Sequence, residues 1–94
     1  MSGKGIVWDD RKNRINRAKH GVGFREASEI FFDPLAITVD DPDHSWDEFR
    51  FVSIGETKKR KLIVVFFTES ELEIRVISAR RPTRAERLSY EEER

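Results

Sequence analysis

The sequence predicts an α+β domain: a short N-terminal strand, two helices, a four-stranded antiparallel meander and a C-terminal helix. Three observations predict it. Phe24, Ala27, Ile30 and Phe31 recur at helical spacing. Leu62–Thr68 is almost wholly apolar, and Leu72–Ala79 alternates as a half-buried strand does. Thr83 and Glu86 form a capping box that opens a last helix after Pro82. Strands in one run, with helices before and after, favour a meander sheet. The 94 residues fit one domain spanning 1–94.

Taken in order, Ile6–Trp8 is a short apolar run suited to an edge strand. Asp9 or Asp10 can cap the first helix, which runs to about His20, where Gly21 fits the left-handed closing position. Its apolar content is thin: Ile15 and Ala18 face one way and basic residues fill the rest. Gly23 can cap the second helix, and Asp33-Pro34 stops it, because the residue before proline avoids helical dihedrals. Leu35–Val39 and Phe49–Ile54 read as strands on either side of a polar, turn-rich loop, Asp40–Glu48. Leu62–Thr68 reads as the central strand, covered on both faces. After a turn at Glu69–Glu71, Leu72, Ile74, Val76 and Ser78 share one face of the last strand, with Glu73, Arg75, Ile77 and Ala79 on the other.

Hydrophobic residues make up 37% of the chain and charged residues 38%, with a formal net charge of zero. The charges are segregated. Arg11, Lys12, Arg14, Arg17 and Lys19 form one basic stretch and Lys58–Lys61 a second, while Asp40, Asp41, Asp43, Asp47 and Glu48 form an acidic block. Segregated patches suit a nucleic acid on one face and a protein on another; they equally suit a solvated surface. There is no cysteine, which excludes disulfides, thiolate chemistry and Cys-type zinc sites. No apolar run approaches the roughly 18 residues of a membrane span, and Met1–Gly5 has no signal-peptide character, so a soluble cytoplasmic protein with no membrane contact is expected. The loop Asp40, Asp41, Asp43 and His44 is oxygen-rich but lacks the spacing and glycine of a calcium loop, so neither metal nor cofactor is expected.

The ordered set of short motifs resembles one family, the BrnT toxins. Trp8-Asp9-Asp10 and Lys19-His20-Gly21-Val22, with Phe24 and Ala27, are similar to its opening. Asp33-Pro34-Leu35-Ala36, Asp41–Ser45, Glu48-Phe49-Arg50 and Ile54-Gly55 resemble its middle. Ile74–Arg81, with Glu86 and Tyr90, resembles its C-terminal signature. Gly23 stands where the family often has serine, and Pro82 where it usually has alanine; both remain compatible with helix starts. The resemblance implies a RelE-like fold and an endoribonuclease that arrests growth. It also implies neutralisation by a BrnA-type ribbon-helix-helix antitoxin, with operator DNA bound only through the complex. The competing expectations are a non-catalytic RelE-like protein-interaction or nucleic-acid-binding module, and a subunit that only docks a partner.

RNA can be cut without a metal when a base takes the 2′-hydroxyl proton, an acid protonates the leaving oxygen, and fixed cations neutralise the phosphoryl oxygens. Arg80 and Arg81, between the last strand and the last helix, offer planar forks suited to phosphate, or form an ordinary charged loop. Arg60, before the central strand, is similar in placement to a basic residue of RelE-like enzymes. Lys58 and Lys59 beside it either track RNA or decorate a hairpin tip. Tyr90, one turn from Glu86, stacks on a base, donates a proton, or packs on the sheet. Glu48 and Arg50 lie two apart on a strand and form an acid–base pair or an ion pair, with Glu48 the general-base candidate. His20 is the alternative base, although Lys19 and His20 at a helix end also suit the dipole. Arg75 either reaches the site or pairs beside Glu73. With Arg84, residues Lys19, His20, Lys58, Lys59 and Arg75 make up the expected RNA contacts.

Overall fold

The computed structural model describes residues 4–43 and 49–92. It contains β1 (Gly5–Val7), α1 (Asp10–His20), α2 (Phe24–Ala27) continued by a 3-10 turn (Ser28–Phe32), β2 (Ile37–Asp40), β3 (Arg50–Glu56), β4 (Leu62–Glu69), β5 (Glu73–Arg80) and α3 (Arg84–Glu92). The strands form a single sheet in the order β1-β5-β4-β3-β2. β2 to β5 make the antiparallel meander expected from the sequence. β1 adds a fifth strand, parallel to β5 with Ile6 opposite Ile74, so the sheet is mixed rather than four-stranded and antiparallel.

Helix α1 begins at Asp9, whose carboxylate accepts from the Lys12 N–H at 3.0 Å, and ends at Gly21, with φ of 71°. As its thin apolar content implies, α1 turns most of its surface to solvent. Ile15 is 56% exposed, and the only buried residue of α1 is Asn16. Its amide donates to the carbonyls of Val22 (2.9 Å) and Ala79 (2.8 Å) and accepts from the Ala79 N–H (3.1 Å). β1 covers β5 only as far as Arg75, so Asn16 satisfies strand-edge groups that no strand reaches.

The second helix is shorter than its apolar spacing suggests. The Ser28 hydroxyl donates to the Phe24 carbonyl at 2.7 Å, and the chain tightens into a 3-10 turn before Asp33-Pro34. β2 starts two residues later than expected. Asp33 turns the chain there, with its carboxylate accepting from Leu35 N–H and its carbonyl from Ala36 N–H.

One face of the sheet carries the core. Val22, Phe24, Ala27 and Ile30 pack on Ile63, Val65, Phe67, Ile74, Val76 and Ala79, with Trp8, Phe31 and Phe51 at the margin. A Cβ at Gly55 would come within 2.9 Å of the Ile30 Cβ, which is why β3 carries glycine under that turn. The strict alternation expected for β5 fails at a bulge. Phe66 pairs with Ser78 but Phe67 with Val76, leaving Ile77 as the extra residue. Beyond the bulge the faces exchange: Ala79 joins the core and Arg80 turns to the opposite face.

Helix α3 lies over part of that opposite face. Tyr90 is buried there, and its hydroxyl donates to Asp33 Oδ2 at 2.7 Å. Ile37, Val39, Val52, Ile54 and Val64 line a groove beside Glu86 and Ser89.

Candidate active site

The register places three arginines on the sheet face away from the core. Arg50, Thr68 and Arg75 form one cross-strand row, Val52, Phe66 and Ser78 the next, and Ile54, Val64 and Arg80 the third. Strand spacing sets Arg50 and Arg75 about 10 Å apart at the backbone, and two rows set Arg80 roughly 13 Å from Arg75. The β5 bulge makes this grouping possible: with uninterrupted alternation Arg80 would point into the core.

Arg80 is the most constrained of the three. Its Nη1 and Nη2 donate to Glu86 Oε1 and Oε2 at 2.8 and 2.9 Å, Nη1 also reaches the Arg81 carbonyl at 3.2 Å, and the guanidinium sits 5.5 Å from the centre of the Phe66 ring. The Arg80 fork holds the Glu86 carboxyl down at about 2, helped by the Thr83 N–H; Glu86 in turn raises Arg80. Arg80 is therefore a permanent cation, and Glu86 is too weak a base to take a proton efficiently near neutrality.

Arg75 Nη2 lies 3.1 Å from Glu73 Oε2 on the exposed face, so pairing beside Glu73 is what the structure shows. Arg50 Nε is shielded from solvent and stands 3.8 Å from the carboxylate of buried Asp41, without a hydrogen bond among the described residues. Glu48 and His44 lie outside the described residues; β3 begins at Arg50. Arg81 and Arg84 are exposed on either side of the Pro82-Thr83 junction.

The remaining candidates sit elsewhere. Tyr90 is buried, with its hydroxyl on Asp33, so its position is that of a packing residue and its ring has no open face for a base. Lys58, Lys59 and Arg60 form the exposed β3–β4 hairpin tip. Arg60 takes a left-handed φ of 65° there, and its N–H donates to Thr57 O. The tip lies roughly 20 Å along β3 from Arg50, but only one cross-strand row, about 7 Å at the backbone, beyond the row of Ile54, Val64 and Arg80. Lys19 and His20 end α1, which runs along the β5 edge, so they flank the sheet rather than stand on the arginine face.

Sequence reasoning missed Glu86 as the partner of Arg80, and Phe66 beneath it. Glu86 was legible as the third position of a capping box and as part of the C-terminal signature, but not as a partner: it lies six positions from Arg80, and no local periodicity links a strand end to a helix start.

The arrangement offers one fixed cation, Arg80, over an aromatic face at the C-terminal end of β5, with Arg81 and Arg84 exposed beside it. That is suited to holding a phosphodiester. Residues 8–86 match the family model for the ribonuclease toxin, BrnT, of type II toxin–antitoxin systems. Among solved structures, the chain is similar to the Brucella abortus ribonuclease toxin BrnT, at 29% identity and a TM-score of 0.64 over 86% of this chain and 99% of that one. No curated protein sequence matches at a significant level. Among the described residues no helix is long and apolar enough to cross a membrane. With the family model spanning nearly the whole chain, this protein belongs to the BrnT family, the ribonuclease toxins of type II toxin–antitoxin systems.

Proposed function

We propose that this chain is a RelE-like endoribonuclease that cuts RNA without a metal ion, on the arginine-bearing face of the sheet, and arrests growth by doing so. The observation that carries this reading is Arg80, pinned at a strand end with part of its fork still open and with Arg75 and Arg50 on the same face. The 2′-hydroxyl attacks the adjacent phosphorus, the 5′-oxygen leaves, and a 2′,3′-cyclic phosphate remains. Arg80 meets the charge growing on the phosphoryl oxygens, where a fixed donor is worth most. Arg81 and Arg84 grip the neighbouring backbone. Lys58, Lys59 and Arg60 at the hairpin tip, and Lys19 and His20 at the helix end, guide the strand. Glu48 remains the candidate base, because Glu86 is held too acidic for the role. A BrnA-type ribbon-helix-helix antitoxin masks this face, and operator DNA is bound only by the complex.

The test is induced expression of wild type beside Arg80→Ala, with growth followed, total RNA examined and 3′ ends analysed. The expected result is arrest and RNA bearing 2′,3′-cyclic ends with wild type, neither with the variant at equal soluble level, and cleavage by purified protein that persists in EDTA. Harmless wild type with intact RNA supports a binding or docking module instead. Loss of cleavage in EDTA that added divalent ions restore refutes the metal-free mechanism.

A further inference from the structure

We infer that Glu86 is a positioning residue: its carboxylate holds one edge of the Arg80 guanidinium so that the other edge is presented to the phosphoryl oxygens. The inference rests on the reading of Arg80 given above and names what makes that arginine effective.

A guanidinium carries five N–H donors in a rigid plane. Glu86 takes one from each Nη, and the Arg81 carbonyl takes the other from Nη1. The Nε–H and the second Nη2 hydrogen remain, and neither has a partner among the described residues. They lie side by side on the remaining edge, spaced to meet two oxygens of one phosphate. The ring of Phe66 fixes the plane from below.

Glu86 is itself immobilised. Its Oε1 accepts from the Thr83 N–H at 2.8 Å, and its own N–H donates to Thr83 Oγ1 at 3.2 Å. A cap alone needs one carboxylate oxygen on Thr83; here both oxygens are committed to Arg80 as well. The first turn of α3 thus sets the carboxylate, and the carboxylate sets the arginine. A long, rotamer-rich side chain is ordered before substrate arrives, so the reaction does not have to order it. Arg50 and Arg75 stand on the same face, each beside its own carboxylate, Asp41 and Glu73, so what distinguishes Arg80 is the open edge of its fork.

The experiment measures kcat and KM for cleavage of an RNA oligonucleotide by Glu86→Gln, Arg80→Lys and the double variant, with Thr83→Ala as a control for helix capping. Lysine keeps the charge of Arg80 but cannot be held as a fork. Glu86→Gln should lower kcat about 10- to 100-fold with KM changed less than about threefold, because misplacement by a fraction of an ångström acts on the reacting geometry. The double variant should be no slower than Arg80→Lys alone. Thr83→Ala should lower the melting temperature yet keep kcat within about threefold of wild type, since it removes only the hydroxyl cap and keeps the backbone N–H that holds Glu86 Oε1. Circular dichroism establishes folding; if Glu86→Gln does not fold, Glu86→Asp, which keeps the acidic cap but is too short for both bonds, carries the same test. Wild-type kcat in Glu86→Gln, a loss confined to KM, or losses that multiply in the double variant each overturn the inference while cleavage lost in Arg80→Ala leaves the site reading standing. Full activity in Arg80→Ala overturns both.

Discussion

Asp33 carries more of the fold than its neighbours suggest. One oxygen accepts from the Leu35 N–H at 2.8 Å; the other accepts from the Glu56 N–H and the Tyr90 hydroxyl, each at 2.7 Å. A single carboxylate thus joins the turn before β2, the end of β3 and the last turn of α3. Read along the chain, Asp33 is only the residue that stops a helix before proline. Its long-range partners, 23 and 57 residues away, leave no local mark. Tyr90 illustrates the same limit: its place near Glu86 in sequence leaves catalysis and packing equally open, and its burial comes from the sheet beneath it. Tyr90→Phe should therefore cost about 1.5–3 kcal/mol of stability, the value of a hydrogen bond to a charged acceptor, while RNA cleavage survives. Urea unfolding and a cleavage assay on the same preparation check this. A variant as stable as wild type but slowed a hundredfold or more in cleavage would make Tyr90 a catalytic residue after all.

Among the elements, α1 shows where pattern reading succeeds and where it stops. Its start at Asp9 and its end at Gly21 were legible, because caps are local chemistry. Its docking was not. A helix with so few apolar residues reads as a surface helix, and it is one; its contact with the sheet, made by Asn16 completing the edge of β5, leaves no mark in the apolar pattern. Asn16→Ala should destabilise the protein by about 2–4 kcal/mol, because the buried Ala79 N–H and C=O both lose their partner. The drop is read as a lower urea midpoint at unchanged slope; a midpoint within error of wild type would show that water or a backbone shift replaces the amide. β5 fails the pattern for a different reason. Ile77 and Ala79 are both apolar, so an inserted residue at Ile77 leaves the hydrophobic pattern plausible in either phase. The consequence reaches the proposed site, since that one residue decides which face Arg80 occupies. The four meander strands themselves were legible within a residue or two, and only the parallel pairing of β1 was not, because three apolar residues do not specify a neighbour.

For the whole molecule, the zero net charge hides three separated basic regions: the arginine face, the hairpin tip at Lys58–Lys61 and the exposed surface of α1. Sequence reading found every one of these residues but not their distribution over the sheet, which depends on register and on the bulge. The proposed path of RNA from the arginine face to the hairpin tip makes a quantitative claim about salt. Each phosphate neutralised on a single strand contributes about −0.7 to the slope of log affinity against log salt concentration. Contacts from Lys58, Lys59 and Arg60 account for about −2 of that slope, beyond what the arginines and the end of α1 contribute. An uncleavable oligonucleotide, 2′-deoxy at every position, allows affinity to be measured with the intact site. Replacing Lys58, Lys59 and Arg60 together by alanine should make the slope less negative by about 2. A slope unmoved by those replacements would confine RNA to the arginine face and leave the hairpin tip to solvent or to the antitoxin.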